Sequence, residues 1–468
     1  MLIKFNNPFV LAYANDLDAF VPEVWAQESL MVLEANMVAA NLVHRNFENL
    51  IAKQGDVVNT RQPGRFVAKK KIDTENVTDQ DATAVNVPVT LDQHLHTTFI
   101  IKDGEESKGF KVLRDEYLVP ALWSIAQSVD QIVLGELYNF VAAGNVSGRL
   151  GTANTKADLI AVRTNMNSRK VPLGPRHLII TPQQEGAFLN IADFTTADKI
   201  GDDGSVMREG SMGRRFGFNI FMAQNSPSVS QSDITAQGAK INNAGGYAAG
   251  ATTLTVDDET AGVAFVVGGW ITIAGDMTPQ MVIAQTGGTT PTEVVITPGL
   301  ANAVPDDADI IMMDDAVINE GDDYAVGWHK EMIIDGMTAG PFVGQMASYG
   351  VTADLLVTHG IQDGASTTLV QLNRPTELLL ANNDLLHLGP PGEYGFAFHP
   401  NAIALVSRPL ALPDPGSGAR AAVVNFNGLS IRIVITYDGI AQGHRVTADL
   451  LCGVKTLDTD LGEVLVGG

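Results

Sequence analysis

A chain of 468 residues holds roughly two to four domains' worth of sequence, with ample material for buried cores. Charged residues make up only 18% of it and there are 46 glycines, a composition that favours β-structure and turns over helix bundles. The formal charge of −23 argues against a protein whose main task is gripping nucleic acid, because phosphate binding needs a dense basic surface.

The lone cysteine, Cys452, excludes an internal disulfide framework and a cysteine-based metal site. It sits among apolar strand residues and reads as a small buried side chain. No apolar run approaches the length that crosses a bilayer. The apolar patch Pro8 to Tyr13 has one lysine before it and aspartates soon after, which makes a poor signal peptide. The expectation is a soluble protein made in a reducing cytoplasm.

Residues 1–20 have no periodicity and read as an arm. From Pro22 to about Lys53 the pattern is helical, with Trp25, Leu30, Leu33, Met37, Ala40, Leu42 and Phe47 as apolar contacts and Gly55 as the stop. Asp56 to Ile101 changes to short strand-like runs such as Val57-Val58, Phe66-Val67-Ala68, Val85-Asn86-Val87 and Thr97 to Ile101. Within it Arg61, Arg65, Lys69, Lys70 and Lys71 occur without an acid, and Asp73, Glu75, Asp79 and Asp81 follow without a base. The segment reads as an extended two-stranded loop, basic going out and acidic coming back. A ribbon of that kind is marginal alone and needs a surface to lie on. In an assembly it is a contact arm, so the five bases are candidate intersubunit contacts; a nucleic-acid patch is the alternative.

The stretch Lys111–Ala142 predicts a long helix. Leu118, Leu122, Ile125, Val129, Ile132, Val133, Leu137 and Phe140 recur at the spacing of one face, and Ser124, Gln127, Ser128 and Gln131 fall opposite. Regular helix is expected to begin near Pro120 and to stop at Gly144, roughly 23 residues or about 35 Å of rod. Glu136 interrupts the apolar stripe, so that face should meet a polar partner or an edge there. A helix of this length with one apolar side acts as a spine.

A compact α/β piece follows: a helix over Lys156–Ser168, a strand over His177–Ile180, and a helix opened by Thr181-Pro182 and running through Phe188. A glycine-punctuated run from Gly210 to Asn225 ends in the strand Phe218–Met222. From Ser226 to about Gly392 lysine and arginine nearly vanish, and short strands appear at Thr253–Val256, Trp270–Ile273, Met281–Ile283 and Val294–Ile296. Their spacing predicts a small barrel or sandwich inserted as a unit. Residues 316–392 are β-like but less legible. Tyr324–Ile333 and Tyr394–Ile403 echo one another through an aromatic–His step, and two occurrences do not make a repeat. The last residues return to strands at Ala402–Val406, Leu429–Ile435 and Val446–Leu450.

Three constellations invite chemical readings. Gly210, Gly213 and Gly217 suggest a phosphate loop, but no strand-to-helix turn frames them and no Gly-Lys-Ser/Thr follows, so turn glycines are the better reading. His94 and His96 share a strand face and could hold zinc, yet no third ligand lies near in sequence. The acidic run Asp306, Asp307, Asp309, Asp314, Asp315, Glu320, Asp322 and Asp323 could hold calcium but lacks the spacing of a helix–loop–helix site; solvated turns account for it better. No catalytic motif of the serine hydrolase, zincin or Cys–His kind is present. No enzyme, cofactor or metal is expected.

The chain resembles the major capsid proteins of tailed double-stranded DNA phages, the Hong Kong ninety-seven fold. The branch typified by the coat protein of the short-tailed Salmonella phage, which carries a β-barrel insertion, is the most similar. Leu113-Arg114-Asp115 through Asp130 resembles that family's lead into its spine helix. Gly210 to Gln224, with Gly213, Gly217 and Phe218, is similar to the strand leading to the insertion, and Phe398-His399-Pro400 through Arg408-Pro409-Leu410 to the strand returning from it. The order of parts agrees over nearly the whole chain, whereas the insertion itself departs from the family.

The resemblance implies an α+β fold. Its parts would be an N-terminal arm and helix (1–55), an extended β-hairpin loop (56–106), a spine helix with part of the peripheral domain (107–150), a first part of the axial domain (151–225), an inserted β domain (226–392), and axial and peripheral strands (393–468). It implies a structural protein that self-assembles as pentamers and hexamers into an icosahedral shell around the genome. Scaffolding and portal proteins would be its partners; it would enclose DNA without sequence-specific binding and would not associate with membranes. Its location would be the virion capsid after synthesis in the host cytoplasm. A reading from another class is a β-rich phage decoration or fibre-type protein that grips a ligand with residues 226–392.

Overall fold

The computed structural model describes residues 37–45, 57–62, 68, 70, 85–91, 93–103, 110–195, 210, 212–226, 228–229, 234–257, 265, 267–287, 291–313, 316–319, 323–326, 332–335, 346–349, 352–362, 368–372, 376, 378–389, 392–408, 410–414, 419–426 and 429–467. These belong to one contact-dense unit, Ala35–Gly468. Most of the predicted arm and first helix lies outside them. Where residues 37–45 are described, the helical expectation fails: helix covers only Ala39–Leu42, and Val43 turns extended so that His44 bridges to Ala404. The asparagines at 36, 41 and 46 are weak helix formers, and a strand edge offered the backbone a better partner.

The body is built on the spine helix Phe110–Gly135, which a turn at Glu136 separates from the short helix Leu137–Ala142. It begins ten residues before Pro120, not at it. The proline forfeits one backbone bond, but the helix is held on both sides of it; before it, Tyr117 packs its ring 5.8 Å from Phe99 on a neighbouring strand. Leu122, Ile125, Val129, Ile132, Val133 and Leu137 are buried in the main core, with Leu118 packed on its margin. Gln131, assigned to the outer face, is buried as well. From Val129 to Leu137 the helix is enclosed all round, so a one-sided amphipathic pattern describes only its first half.

Two sheets flank the spine. One has the order Val146–Gly148, Gly462–Gly467, Gly392–Phe398, His177–Ile180, Phe218–Met222, Arg214–Arg215, with Ser228–Val229 beside Gly392–Phe398. Gly392–Phe398 is buried at every position, as a central strand covered on both faces should be. A side chain at Gly395 would meet the Gln184 amide, which donates to the carbonyl of Leu465 at 2.9 Å and so ties helix Pro182–Leu189 to the sheet. Helix Lys156–Ser168, opened by a Thr155–Asp158 capping box, buries Leu159, Val162 and Met166 against the same sheet.

The second sheet centres on the strand Gly443–Thr456. One side of it takes Gln93–Lys102. The other takes Leu429–Asp438 along its first half and Ile403–Arg408 along its second, with Arg420–Phe426 outside Leu429–Asp438. Gln93–Lys102, expected in the extended loop, is therefore part of the body.

Between Ser228–Val229 and Gly392, which pair with each other, the chain forms two closed six-stranded barrels rather than one module. The first uses Ile234–Ile241, Thr253–Asp257, Trp270–Ile273, Gln280–Thr286, Glu293–Thr297 and Asp309–Met313; the second uses Ala316–Ile318, Met332–Asp335, Met346–Tyr349, Thr352–Gln362, Thr368–Leu372 and Leu385–Leu388. Counted in chain order, both close along the same path: first, second, fifth, fourth, third, sixth.

The bonding repeats too. Tyr247 and Val304 exchange backbone bonds as do Tyr324 and Leu380; Asn242 donates to Thr255 as Asn319 does to Ile333. The Tyr247 hydroxyl accepts the N–H of Thr255, and the Tyr324 hydroxyl that of Ile333. Asp307 and Asn383 occupy the left-handed region at matching turns, where Asp and Asn are the tolerated non-glycine residues. The sequence carries the same repeat, Ile-Asn-x-x-x-x-Tyr-Ala-x-Gly at 241–250 and again at 318–327. The echo expected between Tyr324 and Tyr394 has no structural counterpart, since Tyr394 lies in a strand of the body sheet.

Each barrel has its own core, the first around Leu254, Ile271, Val282 and Ile296, the second around Met332, Ile334, Val370 and Leu386. The first also sends Trp270 and Met281 into the spine core, and the long strand Thr352–Gln362 of the second runs past the spine helix. Tyr324→Phe removes the acceptor of the Ile333 N–H and should cost the second barrel about 1–3 kcal/mol. Hydrogen exchange should quicken in 316–388 and stay unchanged in 234–313; equal changes in both would mean that the barrels open as one unit.

Candidate functional site

The extended loop is described at its stem, a two-stranded ribbon. Its described stem pairs Val57–Gln62 with Val85–Thr90, in a register that sets Val57 opposite Thr90 and Gln62 opposite Val85. Among the described residues no third strand joins this ribbon. Val57, Asn59, Asn86, Pro88 and Thr90 are exposed, and the Asn86 side-chain amide donates a hydrogen bond to Asn59 Oδ1 at 2.9 Å across the strands.

The root is buried. Val89 and Leu91 sit in a small core of their own with Ala404, Val406 and Leu451, and Val58, Leu410 and Leu457 pack around it. Gly453 makes the approach possible: a side chain there would stand 2.1 Å from the carbonyl oxygen of Thr90. The ribbon is thus held firmly at one end, and among the described residues no further strand pairs along its length.

Of the basic strip, Arg61 lies in the stem opposite Asn86, and Lys70 is exposed. Arg65, Lys69, Lys71 and the acidic return 73–81 lie outside the described residues. The sheet on which the root rests carries a second exposed element. In the hairpin tip after Leu429–Asp438, the Asp438 carboxylate accepts the N–H groups of Ile440 and Ala441 at 2.9 and 3.2 Å and pairs with Arg445. Those two N–H groups first, and Arg445 next, hold its carboxyl below the usual carboxylate range. This stiff turn presents Ile440, which is fully exposed.

Two buried carboxylates position the elements that carry these surfaces: Glu136, which meets the polar partner its place in the apolar stripe implies, and Asp130, which the sequence does not single out. Asp130, on the spine helix, accepts the N–H of Ala40 at 2.9 Å, that of Val38 at 3.3 Å and the Asn225 amide at 3.1 Å. It caps the short helix Ala39–Leu42 from a distant part of the chain and binds the segment that leads to the barrels. Glu136, at the break in the spine, accepts the Thr456 N–H at 2.9 Å and its hydroxyl at 2.5 Å, and so fixes the end of the strand against which the loop root packs. Glu463, also buried, binds Ser147, Asn165 and Arg169 at 2.6–2.8 Å.

The chemical alternatives find other surroundings. His94 and His96 are exposed neighbours with ring centroids 6.3 Å apart, and His94 stands 3.7 Å from Asp449, which Arg432 already grips. Asp306 and Asp323 accept backbone N–H groups of Asn243 and Asn382 in barrel turns. Gly217, at φ +85, forms a hairpin turn where a side chain would strike the Arg163 guanidinium. Among the described residues no three His, Cys, Asp or Glu side chains gather as a metal site, and no helix is long and apolar enough to cross a membrane. Cys452 is buried.

No family model matches the chain, and no curated protein matches it in sequence. Among solved structures it is similar to a chain from Mycobacterium phage Che8, with 14% identity and a TM-score of 0.43 over 95% of this chain and 97% of that one. It is similar to the capsid structure of Cyanophage P-SCSP1u, with 12% identity and a TM-score of 0.44 over 95% and 92%. It is also similar to the capsid of the native GTA particle, with 8% identity and a TM-score of 0.40 over 98% of each chain. Likenesses this distant do not by themselves assign a role.

Two measurements test the anchoring. Gly453→Ala should push the loop root off its strand at a cost of about 1–3 kcal/mol, with faster hydrogen exchange across 85–91; unchanged exchange would mean that the root does not rest on this contact. Asp130 carries a pH signature. Burial raises its carboxyl pKa, and the bonds from Ala40, Asn225 and Val38 pull it down less strongly. A carboxyl with a raised folded pKa stabilises the fold most when protonated, so this contribution is present at acid pH and is lost as pH rises through the folded value. The stability of the parent relative to Asp130→Asn should therefore fall as pH rises from the usual carboxylate range. A relative stability that grows with pH would show the donors outweighing burial.

Proposed function

We propose that the chain is a major capsid protein of a tailed bacteriophage, self-assembling as pentamers and hexamers into an icosahedral shell around double-stranded DNA. The observation that carries this reading is the ribbon 57–62/85–90, rooted by its own small core yet with no third strand among the described residues. A two-stranded ribbon in water is marginal, and a neighbouring subunit supplies the surface that completes it. The surrounding order of parts supports the same reading: a spine helix, two flanking sheets whose strands come from distant stretches of sequence, and a β module that leaves and returns through paired strands.

The role is structural, with no catalytic chemistry or cofactor. The acidic chain, at −23, suits a container that must not adhere to the DNA packed within it, and no sequence-specific DNA contact is assigned. Scaffolding and portal proteins are its further partners, the virion capsid its location, and the host cytoplasm its place of synthesis. The peripheral domain takes the spine and the sheet around Gly443–Thr456, the axial domain takes the sheet around Gly392–Phe398, and the barrels face outward. Arg61, Arg65, Lys69, Lys70 and Lys71 are assigned to contact with a neighbouring subunit.

Electron microscopy of the expressed protein separates this reading from a decoration or fibre-type protein: closed shells or capsomers support it, whereas isolated trimers or monomers overturn it. The loop assignment has its own test. Exposed ion pairs are individually worth below about 1 kcal/mol, but a loss at every interface multiplies across a shell. Replacing Lys69, Lys70 and Lys71 together by Glu should leave circular dichroism and the unfolding temperature of the free subunit nearly unchanged. Shells should fail to form at low salt and partly recover as salt screens the repulsion. Assembly equal to the parent at low salt would reduce the strip to a solvated face.

A further inference from the structure

The chain passes between the two flanking sheets twice through short turns, and the two passages meet. Phe398 ends a strand of the first sheet and Ile403 begins one of the second, with the 3-10 turn Pro400–Ala402 between them. Gly443–Thr456 returns to Gly462–Gly467 through the turn Thr459–Leu461. The His399 N–H donates to the Leu461 carbonyl at 3.0 Å and the Leu457 N–H to the Ala402 carbonyl at 2.8 Å, which closes the two turns into one joint.

Two half-buried histidines stand at this joint. His399 caps its first turn: Nδ1 accepts the Asn401 N–H at 3.3 Å, so the neutral ring carries its proton on Nε2. His177 lies opposite Phe398 in the sheet, its ring 6.0 Å from that of Phe398 and 5.8 Å from that of Phe221. Its Nδ1 is buried without a hydrogen-bond partner. Buried Arg176 precedes it and commits its guanidinium to the carbonyls of Val171 and Pro172 and the Asn167 amide oxygen, at 2.6–2.9 Å. Arg163, from helix Lys156–Ser168, bonds the carbonyl of Phe216. From the second turn, Asp458 accepts the Asp460 N–H at 3.0 Å, and Glu463 beyond it is paired with Arg169 at 2.6 Å. Among the described residues no carboxylate pairs with either histidine, with Arg163 or with Arg176.

We propose that this joint is a proton-sensitive hinge, closed while His177 and His399 are neutral and loosened when they take up protons. A proton on His399 Nδ1 turns that atom from acceptor to donor and abolishes the cap. A charge on His177 falls between two aromatic rings, beside Arg176 and with no acid to meet it. Burial first, and then the facing charge (His399 for His177, Arg176 for His399), holds both imidazoles below the usual histidine range. The opened form therefore binds protons first. The closed joint is fully stable above about pH 6.5 and loses stability as pH falls through the folded values, the opposite sign to Asp130. The hinge is a property of the free chain and does not rest on the shell reading.

Hydrogen exchange of the full chain tests this, with each rate divided by the intrinsic amide rate at that pH. Protection of the bonded amides of Asn219, His399, Ala402 and Leu457 should fall by about tenfold or more between about pH 7.5 and about pH 5, while the barrels keep theirs. The double variant His177→Phe, His399→Asn retains a cap acceptor that does not titrate and should keep its protection over the same range. Parent protection that does not change, an equal loss in the barrels, or a variant that loses as much as the parent overturns the proposal. Should the variant not fold, the parent decides alone. Exchange of the imidazole Cε1 hydrogen, read by mass spectrometry on peptides containing 177 or 399, should give midpoints below the ordinary histidine value for both. A midpoint at or above that value for either histidine overturns the hinge.

Discussion

Enclosure of the spine helix is the constraint on which the rest of the structure depends. From Val129 to Leu137 every position is buried, Asp130 and Glu136 among them. Burying a carboxylate is costly unless it is hydrogen-bonded, and both find donors far away in sequence, Asp130 in Val38, Ala40 and Asn225 and Glu136 in Thr456, to which Glu136 adds the nearby Asn139 amide. The helix can therefore be buried only if the N-terminal segment, the lead to the barrels and the end of the longest strand all arrive at it together. Two short polar clusters thus convert a hydrophobic rod into the registration point for the chain.

That registration explains how a large insertion leaves the body undisturbed. Asn225 is held by Asp130, the Ser226 hydroxyl donates to the Tyr394 carbonyl at 2.8 Å, and Ser228–Val229 pairs with Gly392–Glu393. The chain leaves and returns through adjacent, bonded strands, so the barrels hang from a closed ladder. Each barrel has its own core; Trp270 and Met281 of the first join the spine core, and the strand Thr352–Gln362 of the second runs past the spine helix.

What was legible in the sequence follows from where the information is local. Lys156–Ser168 and His177–Ile180 match the structure because a capping box and a short apolar run bounded by turns are written into neighbouring residues. The helix expected from Pro22 to Lys53 fails at Val43 because the decisive partner, Ala404, is remote. Gln131 reads as an outer-face residue because periodicity cannot distinguish a helix with one covered face from one enclosed all round. The barrel repeat escaped for a different reason. A barrel constrains alternation and turns rather than identities, so the likeness concentrates at Ile241–Gly250 and Ile318–Gly327. Aligning Tyr324 with Tyr394 instead followed a tyrosine rather than a turn. Glu136 gave only the signal of an acid within an apolar stripe; that signal marks an anchor without naming what it holds.

The projecting parts share one physical design. The loop root has a core of five residues separate from the main one, each barrel has another, and the tip around Ile440 is stiffened by a single carboxylate instead of a core. Separate small cores mean that a projecting element can be strained or shifted by a neighbour while little of that strain enters the spine, because few side chains are shared. In a two-stranded ribbon the backbone edges and one face remain to be satisfied, and in water they gain little by ordering. Their free energy is realised only on contact with another surface, whereas the body is stable through contacts the chain makes with itself. A protein so divided keeps folding and association as separate events, and on the proposed reading a shell subunit needs that separation, since it must persist before its neighbours arrive.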